Sequence, residues 1–207
     1  MLDIYDENGN HIGVEDRKIV HAKGLWHRTV HCWLVRGTSG ILFQRRASTL
    51  LDNPRKFYTT ASGHLAAGET LEEAFTRELA EEIGAEIKNP VKIMEGRYSA
   101  DFRKADGGEF RDRAMYSVFF ARDDRPLSSY APQINELDGL IEMDMQGALR
   151  LFEGGTESQP AVGWLYGADG KLGISDLSVR RDDFVCNPGE TLSEKFGAVI
   201  RKILEKL

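Results

Sequence analysis

GHLAAGETLEEAFTRELAEEIGA, residues 63–85, is the stretch that decides how this chain folds. Thr70 followed three residues later by Glu73 forms a capping box, and Gly84 is a stop signal after Ile83, so the spacing predicts a helix over 71–83. At 3.6 residues per turn, Glu78, Glu81 and Glu82 stand at i, i+3 and i+4 and share an arc of roughly 100°. Leu71, Ala74, Phe75 and Leu79 define the stripe expected to be buried, and Glu78 and Glu82 fall inside it. Glu72, Glu73 and Thr76 take the solvent side. Most glutamate clusters are solvated acidic faces. Carboxylates placed within an apolar stripe, however, are costly unless paired or metal-bound. Three converging carboxylates repel one another unless a cation lies between them, and hard oxygen ligands suit Mg²⁺ or Mn²⁺.

The same stretch resembles the Nudix box, G-x5-E-x7-R-E-U-x-E-E-x-G-U with U apolar. The matching positions are Gly63, Glu69, Arg77, Glu78, Leu79, Glu81, Glu82 and Gly84, while Ala85 is smaller than the usual last residue. Seven fixed identities coincide by chance about once in 10⁸–10⁹ windows, so the resemblance is specific. It implies an α/β/α sandwich with a mixed central sheet, and hydrolysis of a diphosphate linkage in a nucleoside diphosphate derivative or similar small molecule. It further implies Glu78, Glu81 and Glu82 as ligands of Mg²⁺ (or Mn²⁺), with the Gly63 carbonyl near the metal. Arg77 and Glu69 would hold those ligands in place. Glu136 is the best match to a general base outside the box, with Glu109 and Asp112 as rivals.

Outward from the box, Asn8-Gly9 between Ile4-Tyr5 and Ile12-x-Val14 predicts an N-terminal hairpin. A polar connection follows through Asp16, Arg17 and Lys18. Strands are expected at 30–35, 41–44, 57–61, 91–99, 114–121 and 137–143, with Gly107-Gly108 at a hairpin tip. Residues 51–56 and 122–135 read as loops, and 146–152 as a short helix. Residues 162–166 and 172–174 bracket a turn at Ala168-Asp169-Gly170. Thr191-x-x-Glu194 caps a last helix to Leu207 with an apolar stripe. A Nudix-type domain over 1–155 and a C-terminal hairpin-and-helix extension over 156–207, docked on the same domain, is the expected organisation.

The chain has 207 residues, 41% hydrophobic and 29% charged, the balance of a globular protein. Its net charge of −6 argues against a broad nucleic-acid-binding face, though not against a small phosphorylated substrate. No run reaches the roughly 18 apolar residues of a membrane span, and the acidic start MLDIYDENGNHIG lacks signal-peptide character. Cys32 and Cys186 make no disulfide framework. A cytoplasmic protein is expected, with a small-molecule diphosphate as partner, no nucleic acid polymer, no membrane, and a homodimer as a reasonable state.

A second resemblance concerns chemistry. Residues 42–46 (LFQRR), Ser62-Gly63-His64 and the segment from Leu25-Trp26-His27 to Trp33 look like the isopentenyl-diphosphate isomerase branch of the same superfamily. That branch uses a cysteine before the Gly-His pair and a metal held by histidines and glutamates. Here Ser62 takes the cysteine's place. His27 and His64 match two histidine ligands, the third falls at Val20 with His21 one residue off, and the glutamates align near Asp112 and Ala114. Serine is a far weaker acid than cysteine, and the isomerase branch has a degenerate box, so the hydrolase is the favoured reading. A non-catalytic binding module ranks last, because the box is intact. Arg45, Arg46 and His64 are the candidate substrate-binding residues, the arginines through charge-assisted bonds to phosphate.

Overall fold

A computed structural model describes residues 1–50, 53–103, 109–186 and 190–207. The chain opens with the expected hairpin, β1 (Leu2–Tyr5) and β2 (His11–Glu15), turned at Gly9 with φ 87°. The polar connection after it is a helix, α1 (Arg17–Lys23). Asp16 caps it by accepting from the Lys18 N–H, and Gly24 closes it in the left-handed region. Seven residues are too few to display a helical period, which is why the pattern did not show it.

The main sheet contains β3 (His27–Arg36), β4 (Gly40–Arg46), β5 (Phe57–Tyr58), β6 (Ala61–His64), β7 (Val91–Arg103), β8 (Glu109–Arg122), β9 (Leu137–Asp144), β10 (Ser158–Tyr166) and β11 (Leu172–Arg180). Its order is β11-β10-β9-β4-β3-β8-β7, with β5 added to β4 and β6 to β3. The β3–β8 pair is parallel and the others are antiparallel, so the sheet is mixed. The β7 and β8 strands run past their expected ends. The Gly107-Gly108 tip lies outside the described residues.

Strands β3 and β4 pair only at Val35–Ile41 and Arg36–Gly40 and then part. The bend at Thr59-Thr60 fills the fork. Thr60 Oγ1 donates to the Leu42 carbonyl at 2.6 Å and accepts the Leu34 N–H at 3.0 Å, tying both arms. Below that tie, β5 follows β4 and β6 follows β3. Helix α2 (Leu71–Ile83) covers one side of the sheet, its Ala74, Phe75, Leu79 and Ile83 packed with Val30, Cys32, Leu34 and Phe119. On the other side lie α3 (Met145–Phe152), a wide π-helical turn at Ser193–Gly197 and α4 (Ala198–Leu204). The result is the α/β/α sandwich the box implied.

The second core joins early and late parts of the chain. Phe196 sits 5.5 Å from Phe152, 5.9 Å from Phe184 and 6.0 Å from Trp33, ring centre to ring centre. We propose on this basis that residues 156–207 fold with 1–155 as one unit. Phe196→Ala should then cost about 3–5 kcal/mol, read as a lower urea midpoint in a single transition. Two separate transitions in the unmutated protein would contradict the proposal.

Candidate active site

Helix α2 is built as its ends require. The Glu73 N–H donates to Thr70 Oγ1 at 3.3 Å, the Thr70 N–H returns a bond to Glu73 Oε2 at 2.8 Å, and Gly84 (φ 67°) ends the helix by bonding to the Ala80 carbonyl. This fixes the rotation of the helix and hence its acids. Glu78 and Glu82 are buried, at 8% and 6% exposure. Glu81 is not: its side chain is 59% exposed and reaches back to Arg77. The expected trio is therefore two sunken carboxylates with a third at the rim.

Arg77 organises them. Its guanidinium donates to Glu69 at 2.7 and 2.9 Å, to Glu78 at 2.7 Å, to Glu81 at 3.0 Å and to the His64 carbonyl at 2.9 Å. Glu69 in turn accepts the Ala66 N–H. The loop is pinned from outside by the first strand, where the Gly68 N–H donates to Asp3 at 2.9 Å and the Ala67 N–H to the Met1 carbonyl. Gly63 has a steric reason to be glycine, since a Cβ there would land inside the Glu78 carboxylate. Glu82 accepts from Gln44 Nε2 at 3.2 Å and, at 3.4 Å, from the Ser62 N–H. Nothing in the spacing pointed to Gln44; it becomes a partner only because β4 runs beside α2.

Burial pushes the Glu82 carboxyl well above the ordinary carboxylate range, and the charges of Glu78 and Glu136 push it further. Glu78 is also raised by burial, against the pull of Arg77. Two desolvated acids that resist ionising together, beside a glycine carbonyl strand, are a donor set that fits a hard divalent ion. Of the three candidate bases, Glu136 is the one whose charge reaches both Glu78 and Glu82. It is exposed, on a loop held to α2 by the Gln133 N–H on the Glu82 carbonyl. Glu109 is paired with Arg111 instead. Asp112 belongs to a different group.

That group is His21, His27 and His64, whose ring nitrogens lie within 4.8 Å of one another. His64 Nε2 is 3.2 Å from His21 Nε2, and His27 Nε2 is 3.5 Å from Asp112 Oδ1. The His27 nitrogen and the Asp112 oxygen are both buried without a hydrogen-bond partner. Three imidazoles and a carboxylate are a donor set for a borderline metal such as Zn²⁺. The ungapped match had put Val20 here. Helix α1 supplies His21 instead, with its other nitrogen held at 2.8 Å by the Arg17 carbonyl. The arginine pair separates: Arg45 lies 3.8 Å from Asp138, whereas the Arg46 charge acts on Glu82 and on Tyr58. An open groove of about 720 Å³ near Arg36, Glu142 and Val162 contains none of these residues.

A family model described as the NUDIX domain matches residues 25–154. The chain belongs to the Nudix hydrolase family. It is 30% identical over 188 residues to an uncharacterized Nudix hydrolase of Clostridium acetobutylicum, covering 89% of each chain. It is also 28% identical over 160 residues to an isopentenyl-diphosphate Delta-isomerase of Saccharopolyspora erythraea, covering 76% of this chain and 79% of that one. The crystal structure of DR0079 from Deinococcus radiodurans shares the fold, with a TM-score of 0.52 and 22% identity over 74% of this chain and 89% of that one. Nudix hydrolases act on small molecules and generally use divalent metals. No helix among the described residues is long and apolar enough to cross a membrane.

The histidines make the fold sensitive to acid. Burial lowers the His64 pKa from 6.5 to about 2 and also lowers those of His21 and His27. Below about pH 6.5 the unfolded chain therefore binds protons that the folded chain refuses, and stability falls as pH drops. Glu78 and Glu82 act with the opposite sign, so the comparison is between variants. From about pH 7.5 to 5.5 the Tm of His64→Gln should fall less than that of the parent; parallel curves would remove the cluster as the cause.

Proposed function

We propose that the protein is a divalent-metal-dependent hydrolase that cleaves a diphosphate linkage in a nucleoside diphosphate derivative or similar small molecule. The observation that carries this reading is the pair of buried carboxylates, Glu78 and Glu82, set by α2 against the Gly63 strand and braced by Arg77. Glu78, Glu81 and Glu82, with the Gly63 carbonyl, are the residues that would hold Mg²⁺ or Mn²⁺. Such an ion neutralises charge on phosphoryl oxygens and makes water a better nucleophile at neutral pH.

The chain's own groups do the rest. Glu136 would take a proton from the attacking water, a role supported by its charge acting on both carboxylates and by its exposure to solvent. Arg46 would orient a phosphate through charge-assisted bonds, and His64, next to Gly63, is the further candidate contact to substrate. Arg77 keeps the carboxylates in register, and positioning of this kind supplies much of the catalysis in phosphoryl chemistry.

Glu82→Gln should fold normally, with Tm unchanged or higher because a buried charge is removed. Its Mg²⁺-dependent hydrolysis of nucleoside diphosphate derivatives, read as the two phosphomonoester products, should fall by at least about a hundredfold. Unchanged turnover would take the carboxylate out of the mechanism.

A second reading, isomerisation of a prenyl diphosphate, is favoured by the His21–His27–His64–Asp112 group and weighed down by Ser62. Incubation with isopentenyl diphosphate separates the two. The hydrolase reading expects phosphate release or no reaction, and a shifted double bond with the diphosphate intact would establish the isomerase.

A further inference from the structure

Ser62 joins two environments. Its N–H donates to Glu82 on the α2 side, and in the β3–β6 ladder it stands opposite His31. His31 is stacked parallel to Tyr116 with ring centres 5.4 Å apart and lies edge-on to Tyr58 at 6.1 Å. Each of these rings keeps part of its surface open, as does Tyr98. Burial nevertheless holds the His31 imidazole at about 4 and pushes Tyr98 up to about 12.

The C-terminal segment reaches the same place. Lys195, on the π-helical turn, has its ammonium 5.4 Å above the Tyr58 ring and 3.0 Å from Glu190, with the lysine side chain only 15% exposed. The charges of Lys195 and Glu190 act on His31, and that of Glu190 also on Tyr58 and Tyr98. So an ion pair from the last twenty residues faces an aromatic wall one strand away from the carboxylates.

We propose that the Glu190–Lys195 pair, with Lys195 over the Tyr58 ring and the His31 and Tyr116 rings alongside, is the specificity element of the site and reads the polar edge of a planar heteroaromatic group attached to the diphosphate. The chemistry discriminates. A carboxylate accepts from ring N–H or amino groups, an ammonium donates to ring nitrogens or carbonyls, and the flanking rings offer stacking surface. An alkyl or prenyl chain in the same place would strip water from the pair and return no hydrogen bond, a penalty for each unmet group. Ser62 links this wall to the carboxylates, its N–H on Glu82 and its ladder position opposite His31, and the Arg46 charge acts on both Tyr58 and Glu82. This inference rests on the hydrolase reading for the position of the diphosphate.

The test is calorimetric binding of ADP and of isopentenyl diphosphate, in Mg²⁺ buffer, to the full chain and to Lys195→Met, Lys195→Gln and Glu190→Gln. Lys195→Met should weaken ADP at least about tenfold and leave isopentenyl diphosphate within about twofold. Lys195→Gln, which keeps a donor and guards against a variant that fails to fold, should fall between. Equal ADP affinity in parent and variants, an equal loss for both probes, or no ADP binding to the parent would overturn the proposal. Hydrolysis by Glu82→Gln separates this inference from the reading beneath it. If the Lys195 effect persists while Glu82→Gln stays fully active, the hydrolase mechanism fails and the role of the ion pair stands. If the reverse holds, only the role of the ion pair fails.

Discussion

The structure around the site depends on one guanidinium. Arg77 touches the loop before α2, the buried Glu78, the rim Glu81 and the backbone at His64 at once. The hydrogen bonds to Glu69, ahead of those to Glu78, hold its pKa above the usual arginine range, so it stays charged under any condition in which the protein folds. A lysine offers one point charge and could not serve the fork of Glu69 and Glu78 while also bonding to a carbonyl. The geometry of the carboxylates is therefore set by a single planar donor, and that donor is in turn fixed because Asp3 and Met1 secure the loop carrying Glu69.

The second constraint is the fork in the sheet. If β3 and β4 stayed paired beyond Val35–Ile41, no gap would exist for β5 and β6. Ser62 and Gly63 would then have no place between the two halves of the site. The fork brings a glycine against Glu78 and an amide against Glu82 from one strand. The same strand continues to His64, whose ring meets His21 and His27. One short strand thus borders both the oxygen-rich and the nitrogen-rich donor sets.

What was legible in the sequence follows from locality. Helix α2 could be read to the residue because cap, period and stop all lie within its own fifteen positions, and the terminal capping box at Thr191 was legible for the same reason. The burial of Glu78 and Glu82 could be anticipated from the apolar stripe. The outward turn of Glu81 could not, since it depends on where Arg77 points. Strands β7 and β8 were read too short because their outer pairs, such as Asp101 with Arg113, are polar and carry no apolar alternation. A long-range partner such as Gln44 was invisible, because only the sheet order brings it near Glu82, and His21 was missed by one position because the short helix α1 sets its place.

The polar groups left uncompensated in the interior bear most directly on function. A fold selected only for stability would replace Glu82 and His27 with apolar residues, since each is buried and short of partners. Burial raises the Glu82 pKa and lowers that of His64, so each donor set favours its uncharged form when no cation is bound. A cation at a set of this kind would offset that preference, because it stabilises ionised carboxylates and binds neutral imidazoles. The two donor sets differ in what they would suit, oxygen ligands on the α2 side and nitrogen ligands around His64. Ser62 lies between them, its N–H on Glu82 and its chain neighbour Gly63 leading to His64, with neither the acidity of a thiol nor a charge.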